Sequence, residues 1–161
     1  LFDGENLSEV VPALGYILGD EGSGSYFGKQ LISSFLYHLL PKDIEADFIE
    51  TYQLDKESLV NRIYREPNAN VFIASFMPFI AKHKDSPFFR KMVTDGFKKF
   101  MEIHVCCYQD YKNKEVNFVG SISLIDSISE AISGDTASKV ASFACSTATG
   151  TSSTFTKSSS W

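Results

Sequence analysis

Apolar residues recur at helical spacing along much of this chain. The first such stretch begins near residue 26 and stops before Pro41, because proline cannot continue a helix. Its apolar positions share one face of a helix with about 3.6 residues per turn, and they are Tyr26, Phe27, Leu31, Ile32, Phe35, Leu36 and Leu39. The spacing therefore predicts an amphipathic helix packed on a core.

Two short helices are predicted next. One carries apolar residues over positions 44–52. The other begins at Asp55, a residue type that accepts backbone N–H groups at helix starts, and stops at Glu66 and Pro67. Both patterns are typical of short helices that bury one face.

Two further helical stretches follow. The pattern over residues 70–83 contains Pro78, which should kink the helix or restart it. Ser86 followed by Pro87 is a typical helix start, and apolar spacing continues from there to Cys107. A long final helix of this region is predicted.

Strand signals lie on either side of the helices. Residues 1–7 place Asp-Gly between apolar positions, which predicts a tight hairpin turn. Residues 116–119 are a short run of strand-forming residues that ends at Gly120 and Ser121, and another helix is predicted over 124–132. This order predicts an α/β fold with a large helical insertion.

Composition changes near the end of the chain. From Ser133 onward serine and threonine dominate, charged residues become rare, and no helical periodicity is present. The tail is therefore predicted to be weakly ordered, or extended along another surface.

Size and charge narrow the class of protein. The 161 residues suit one domain, and 15 Lys and Arg against 20 Asp and Glu give a net charge of −5. The chain has no excess of basic residues that could neutralise a phosphate backbone, so a nucleic-acid partner is disfavoured. No apolar run reaches membrane-spanning length, and the first residues given are not a basic segment followed by an apolar run, as those of a signal peptide would be. These features predict a cytoplasmic protein without a membrane partner.

Cysteine and histidine suggest no metal site. The three cysteines, Cys106, Cys107 and Cys145, are an odd number, which suits a reducing compartment, and each is interpreted as a small buried apolar residue. Neither CxxC nor HExxH spacing occurs. The histidines are widely separated in sequence, and His104 lies on an apolar helix face where a structural role is typical.

The segment Gly19–Gly24, Gly-Asp-Glu-Gly-Ser-Gly, has the most unusual local composition. Glycines allow close approach of a ligand, and the following helix presents free N–H groups. The carboxylate of Asp20 could accept hydrogen bonds from two hydroxyls, as sugar sites require. The alternative is that Asp20 and Glu21 only cap the helix and complement its dipole.

Two phosphate-binding patterns fail on this segment. A P-loop needs glycine at Ser23 and Ser or Thr at Gln30, although Gly28-Lys29 matches its end. The dinucleotide pattern needs a third glycine where Phe27 stands. Neither nucleotide motif is therefore present.

The run Leu18–Gly24, with Gly15 before it and a helix after it, closely resembles the signature of N-acetylglucosamine kinases and the related BadF/BadG/BcrA/BcrD-type ATPases. The resemblance extends through the helices to Asn117–Ser121 and covers about residues 1–125. It implies the C-terminal lobe of an actin-like (ribonuclease H-like) ATPase fold, with a helical insertion at about 41–110. Residues 126–161 form a Ser/Thr-rich tail that matches the family poorly.

The resemblance implies a two-lobed enzyme that binds ATP with Mg²⁺ and transfers the γ-phosphate to an amino sugar, N-acetylglucosamine. Asp20 matches the family aspartate that binds sugar hydroxyls, and Ala13, Leu14 and Gly15 match the loop that touches the sugar. Gly120 and Ser121 match the turn that the family places next to the nucleotide. The family's catalytic base and phosphate loops are expected N-terminal to this chain, which supplies no catalytic residue and no metal ligand of its own.

Two other functions stay open. One is an ATPase of the BadF type, which couples nucleotide binding to a conformational change in a partner protein. Such activators hold an iron–sulfur cluster, but the adjacent Cys106 and Cys107 lack the spacing that cluster ligands need. The other is a non-catalytic interaction module. A homodimer is left open.

Overall fold

The computed structural model describes residue 5, residues 9–109, residue 111 and the backbone of two short segments, 143–146 and 152–155. These residues divide into two units: Leu14–Gly96, and the described residues on either side of that range. Three predictions lie outside the described residues, namely the hairpin turn at Asp3-Gly4, the strand at 116–119 and the helix at 124–132. The predicted sheet of an α/β lobe therefore stays a prediction.

Helices account for most of the described chain. Its α-helices are α1 (Gly15–Leu18), α2 (Gly24–Leu36), α3 (Lys42–Tyr52), α4 (Lys56–Tyr64), α5 (Ala69–Ala74), α6 (Met77–Lys82) and α7 (Pro87–Phe100). A π-helical segment, Met101–Val105, continues α7. No helix in this described part combines the length and apolar character needed to cross a bilayer.

The five predicted helical stretches are confirmed as α2, α3, α4, the pair α5 and α6, and α7. The last of them ends earlier than predicted, because the π-helical continuation of α7 stops at Val105 and Cys107 lies outside it. Pro78 lies in the first turn of α6, so the helix restarts there as one of the two expected outcomes. The prediction that the first helix reaches Leu39 is wrong, because α2 ends at Leu36 and His38 adopts a left-handed backbone with φ of 55°. The short helix α1 was missed, since one turn gives no periodicity to detect.

Side-chain caps fix the starts of two helices as the sequence predicts. Asp55 accepts a hydrogen bond from the Ser58 N–H at 2.8 Å, and this bond lowers the pKa of the Asp55 carboxyl group. Ser86 Oγ accepts from the Phe88 N–H at 3.3 Å. Local sequence therefore defines where α4 and α7 begin.

An aromatic cluster forms the core of the unit Leu14–Gly96. Phe48 of α3 is fully buried, and its ring centroid lies 4.5 Å from that of Phe35 and 5.7 Å from that of Phe76. The Phe79 ring meets Phe48 edge to face at 5.3 Å. Helices α2, α3 and α6 thus share this aromatic core with Phe76, which lies between α5 and α6. Helix α2 also packs directly on α5.

The tail contains a two-stranded antiparallel ladder. Strand β1 is Phe143–Ser146 and β2 is Ser152–Phe155, with Phe143 paired to Phe155 at one end of the register. The ladder was not predicted, because a Ser/Thr-rich segment lacks the apolar alternation that marks a half-buried strand. These eight positions pair with each other, so whether the tail is weakly ordered or extended along another surface stays a prediction, as does its boundary near residue 126.

Candidate functional site

The segment Gly19–Gly24, called the glycine loop below, connects α1 to α2 through a tight turn. The Gly19 N–H donates to the Gly15 carbonyl at 2.9 Å, which closes α1. The Ser23 N–H then donates to the Asp20 carbonyl at 2.9 Å. Asp20 and Gly22 have φ values of 61° and 75°, so the turn passes twice through the left-handed region that glycine tolerates most easily.

The start of α2 is capped by Ser23. Its Oγ accepts from the Tyr26 N–H at 3.2 Å. The carboxylate of Asp20 makes a different contact, because its Oδ2 accepts from the hydroxyl of Ser25 at 3.1 Å. The alternative that the Asp20 side chain caps this helix is therefore wrong, because Ser23 accepts the backbone N–H.

Asp20 retains an acceptor for a ligand. The residue is half-buried, and within the part that the structure describes no hydrogen bond reaches its other carboxylate oxygen, Oδ1. An ionised carboxylate only accepts, with two lone pairs on each oxygen. The group can therefore accept hydrogen bonds from hydroxyls of a bound molecule while Oδ2 stays bonded to Ser25.

Two of the three residues expected before the loop are brought close to it. A side-chain carbon on Gly19 would lie 3.1 Å from Leu14 Cβ and 3.5 Å from the Gly15 carbonyl oxygen, so these residues pack against the one that precedes Asp20. Ala13 is exposed and immediately precedes Leu14 in the chain. The nucleotide-side residues Gly120 and Ser121 lie outside the described residues. All of these roles stay predictions.

Sequence reasoning missed two residues that build the loop's surroundings. Lys29, in the second turn of α2, donates its ammonium group to the Tyr16 carbonyl and so ties α1 to α2. Ser25 bonds Asp20 and is 6% exposed. No sequence motif indicates either contact, since the partners of both residues are set by the fold of the loop.

Helix α1 presents apolar side chains to solvent next to the glycine loop. Leu14, Ile17 and Leu18 are 56%, 71% and 74% exposed. A separate shallow concavity, lined by Asp55, Lys56, Glu57 and Val60, contains no residue of the loop. The residues just before the glycine loop therefore form an exposed apolar surface.

An ionic cluster joins α3 to the end of α6. Asp47 Oδ2 lies 2.6 Å from Lys82 Nζ and 2.5 Å from His83 Nε2. Hydrogen bonds from Lys82 and then from His83 hold the pKa of Asp47 below its ordinary value. Burial, and secondarily the negative charge of Asp47, raises the pKa of Tyr52. His83 packs at 4.6 Å on Phe79, so this histidine stabilises the helix pair.

His38, His104, Cys106 and Cys107 lie in separate local environments. His38 Nδ1 lies 2.7 Å from Glu45 Oε1, and the His104 ring lies 5.2 Å from that of Phe100. Cys106 and Cys107 are unbridged and half-buried. Among the described residues no three His, Cys, Asp or Glu side chains come close enough to hold a metal ion. In phosphoryl transfer Mg²⁺ takes most of its ligands from water and from the phosphates of the nucleotide, so its binding does not require such a cluster. ATP and Mg²⁺ therefore stay predictions.

A comparison with solved structures finds similarity to a kinase. The folds match over 81% of this chain with a TM-score of 0.75 and 33% sequence identity. The matching protein, from Porphyromonas gingivalis, is described as a "Putative N-acetylglucosamine Kinase". This chain spans 47%, about half, of that protein's length. No family model matches the chain, and no curated protein sequence does.

Proposed function

We propose that this chain supplies the C-terminal, sugar-binding lobe of an ATP-dependent amino-sugar kinase, with N-acetylglucosamine as substrate. The observation that carries the proposal is that Oδ1 of Asp20 is open to a ligand while Oδ2 is bonded to Ser25. The 33% identity to a protein described as a "Putative N-acetylglucosamine Kinase" supports the choice of ligand. The fold class that accompanies it is the actin-like α/β lobe, with residues of about 41–110 as its helical insertion.

In the proposed reaction the protein mainly positions the reactants and takes little part in the covalent chemistry. Phosphoryl transfer depends on aligning the acceptor hydroxyl with the γ-phosphate and on stabilising the developing charge, which ATP-bound Mg²⁺ supplies in part. Asp20 would hold sugar hydroxyls, and the loop of Ala13, Leu14 and Gly15 would pack against the sugar. Gly120 and Ser121 would face the nucleotide. The proposal assigns no catalytic base to this chain.

Binding to the chain itself is the first test. We expect N-acetylglucosamine to shift the backbone amide resonances of the glycine loop in an NMR titration, while an aliphatic polyol of similar size leaves them unchanged. A ligand at 100 times its dissociation constant stabilises the folded form by about 2.7 kcal/mol, so thermal unfolding provides an independent readout. Absence of both effects would contradict a sugar site.

The reaction is tested on the protein purified from its own cells. With ATP, Mg²⁺ and N-acetylglucosamine it should release ADP and a phosphorylated sugar in equal amounts. ADP release that does not depend on any hexosamine would instead support the ATPase that acts on a partner protein. Neither sugar nor ATP binding would support the non-catalytic module.

A further inference from the structure

Ser25 is a buried polar residue whose hydroxyl contacts two other side chains. It is 6% exposed and occupies the second position of α2. Its Oγ lies 3.1 Å from Asp20 Oδ2 and 2.9 Å from Ser23 Oγ. Because the helix backbone fixes Ser25, this hydroxyl is a rigid partner for the more exposed carboxylate.

The direction of these hydrogen bonds follows from counting hydrogens. A hydroxyl has one hydrogen, and an ionised carboxylate has none to donate. Ser25 donates its hydrogen to Asp20, so in the bond between the two serines it must accept from Ser23. Ser23 accepts in turn from the Tyr26 N–H. Every donor in the series therefore points towards the Asp20 carboxylate.

Such a directed series has a consequence for Asp20. A hydrogen bond to a carboxylate is stronger than one between neutral groups, and consecutive bonds polarise one another. The bond from Ser25 also restrains rotation of the carboxylate plane by holding Oδ2. Oδ1 is then presented in one orientation, with no hydrogen bond to it from the described residues.

We propose that Ser25 is a positioning residue for sugar binding, which orients the Asp20 carboxylate so that Oδ1 meets the sugar hydroxyls. This inference rests on the proposed function, because the sugar is the ligand that Asp20 would bind. Ser25 itself does not touch the substrate in this arrangement. Its contribution is the orientation of Asp20 before the sugar arrives, which lowers the ordering needed on binding.

The test is a double-mutant cycle on the dissociation constant of N-acetylglucosamine, measured by NMR titration, which detects weak binding. The variants are Ser25→Ala, Asp20→Asn and the double variant, with Ser25→Thr as the form that keeps a hydroxyl. Alanine favours helices more than serine does, so Ser25→Ala should fold, and a melting curve checks this. Ser33→Ala, at an exposed position of α2, is the matched control.

We expect Ser25→Ala to weaken sugar binding about tenfold, as loss of a hydrogen bond to a charged group does. It should have less than about a twofold effect when Asp20 is already Asn, because the two residues act as a unit. Ser25→Thr should restore most of the affinity, and Ser33→Ala should not alter it.

Two results would overturn the inference alone while the wild-type chain binds the sugar. One is unchanged affinity in Ser25→Ala. The other is an equal loss in both backgrounds, which would mean that Ser25 acts on the fold and not through Asp20. Failure of the whole protein, purified from its own cells, to bind N-acetylglucosamine is a separate result that overturns the proposed function and this inference with it.

Discussion

The backbone of Ile73 occupies the space where a side chain on Gly28 would be. A Cβ atom at Gly28 would lie 2.0 Å from the Ile73 carbonyl oxygen and 2.9 Å from its Cγ2. Only glycine allows α2 to approach α5 this closely. The partial match of Gly28-Lys29 to a P-loop therefore has a packing explanation, in which Lys29 bonds the Tyr16 carbonyl.

Substitution of Gly28 should separate these two helices. We expect Gly28→Ala to lower the free energy of unfolding by about 2–3 kcal/mol, the upper range for an overpacked core, because backbone atoms must move. Urea denaturation measures the loss. Ser33→Ala, at an exposed position of the same helix, should change stability by less than about 0.5 kcal/mol. Equal stability of the two variants would contradict the close approach.

Truncation of Phe48 should remove the centre of the aromatic core. The side chain is fully buried and contacts the rings of Phe35, Phe76 and Phe79. We expect Phe48→Ala to lower the free energy of unfolding by about 3–5 kcal/mol. Its neighbour Ile49 is 52% exposed, so Ile49→Ala is a matched control with a much smaller expected loss. Similar melting temperatures for both variants would argue against this core.

Asp47 should make stability depend on pH in the acid range. Its pKa is lowered in the folded chain from the reference value of 3.8, chiefly by the hydrogen bond from Lys82. The ionised form is thus favoured by folding, so its contribution is present above pH 3.8 and is lost as the pH falls through the lower folded-state pKa. We expect the stability difference between wild type and Asp47→Asn to shrink over that range.

Urea denaturation from neutral pH to below pH 3.8 measures this difference. Glu50→Gln, at an exposed position of the same helix, is the control and should differ from wild type by a smaller amount at neutral pH. A difference for Asp47→Asn that stays constant or grows on acidification would have the wrong sign for the ionic cluster.

Asp20→Asn separates a role in sugar binding from a role in the loop. An amide has one accepting oxygen, so it cannot accept from Ser25 on one side and from the sugar on the other, as the carboxylate does. We expect the dissociation constant for N-acetylglucosamine to rise at least about tenfold and that for ATP to change less than about twofold. Titration with each ligand measures this. Equal losses for both ligands would mean that Asp20 mainly maintains the loop.

Helix positions were predictable because their causes are local. Apolar spacing, the cap at Asp55 and the restart at Pro78 depend on residues within one or two turns. The end of α2 was predicted too late, since Leu36 and Leu39 continue the apolar pattern although Leu39 is 63% exposed. The spacing of apolar residues indicates which positions share one face of a helix. It does not indicate where the helix ends, which here is just before the left-handed backbone of His38.

For the candidate site, the sequence indicates a segment to consider, and the structure shows how that segment is held together. Three glycines and Asp20 identified the loop by composition and by family resemblance. The hydrogen bond from Ser25 and the tie from Lys29 to Tyr16 depend on how a turn with two left-handed residues folds back on α2. Such contacts have no fixed sequence spacing, so no motif contains them.

By itself the sequence determined the helical segments, the two capped helix starts and the segment that carries the candidate site, because each depends on short-range backbone and side-chain preferences. Tertiary structure alone decided that Gly28 is a contact between helices, that Asp47 joins α3 to the end of α6, and that Ser25 bonds Asp20. The first two contacts join residues distant in sequence, and the third depends on the exact path of a turn. Packing in three dimensions fixes all of them.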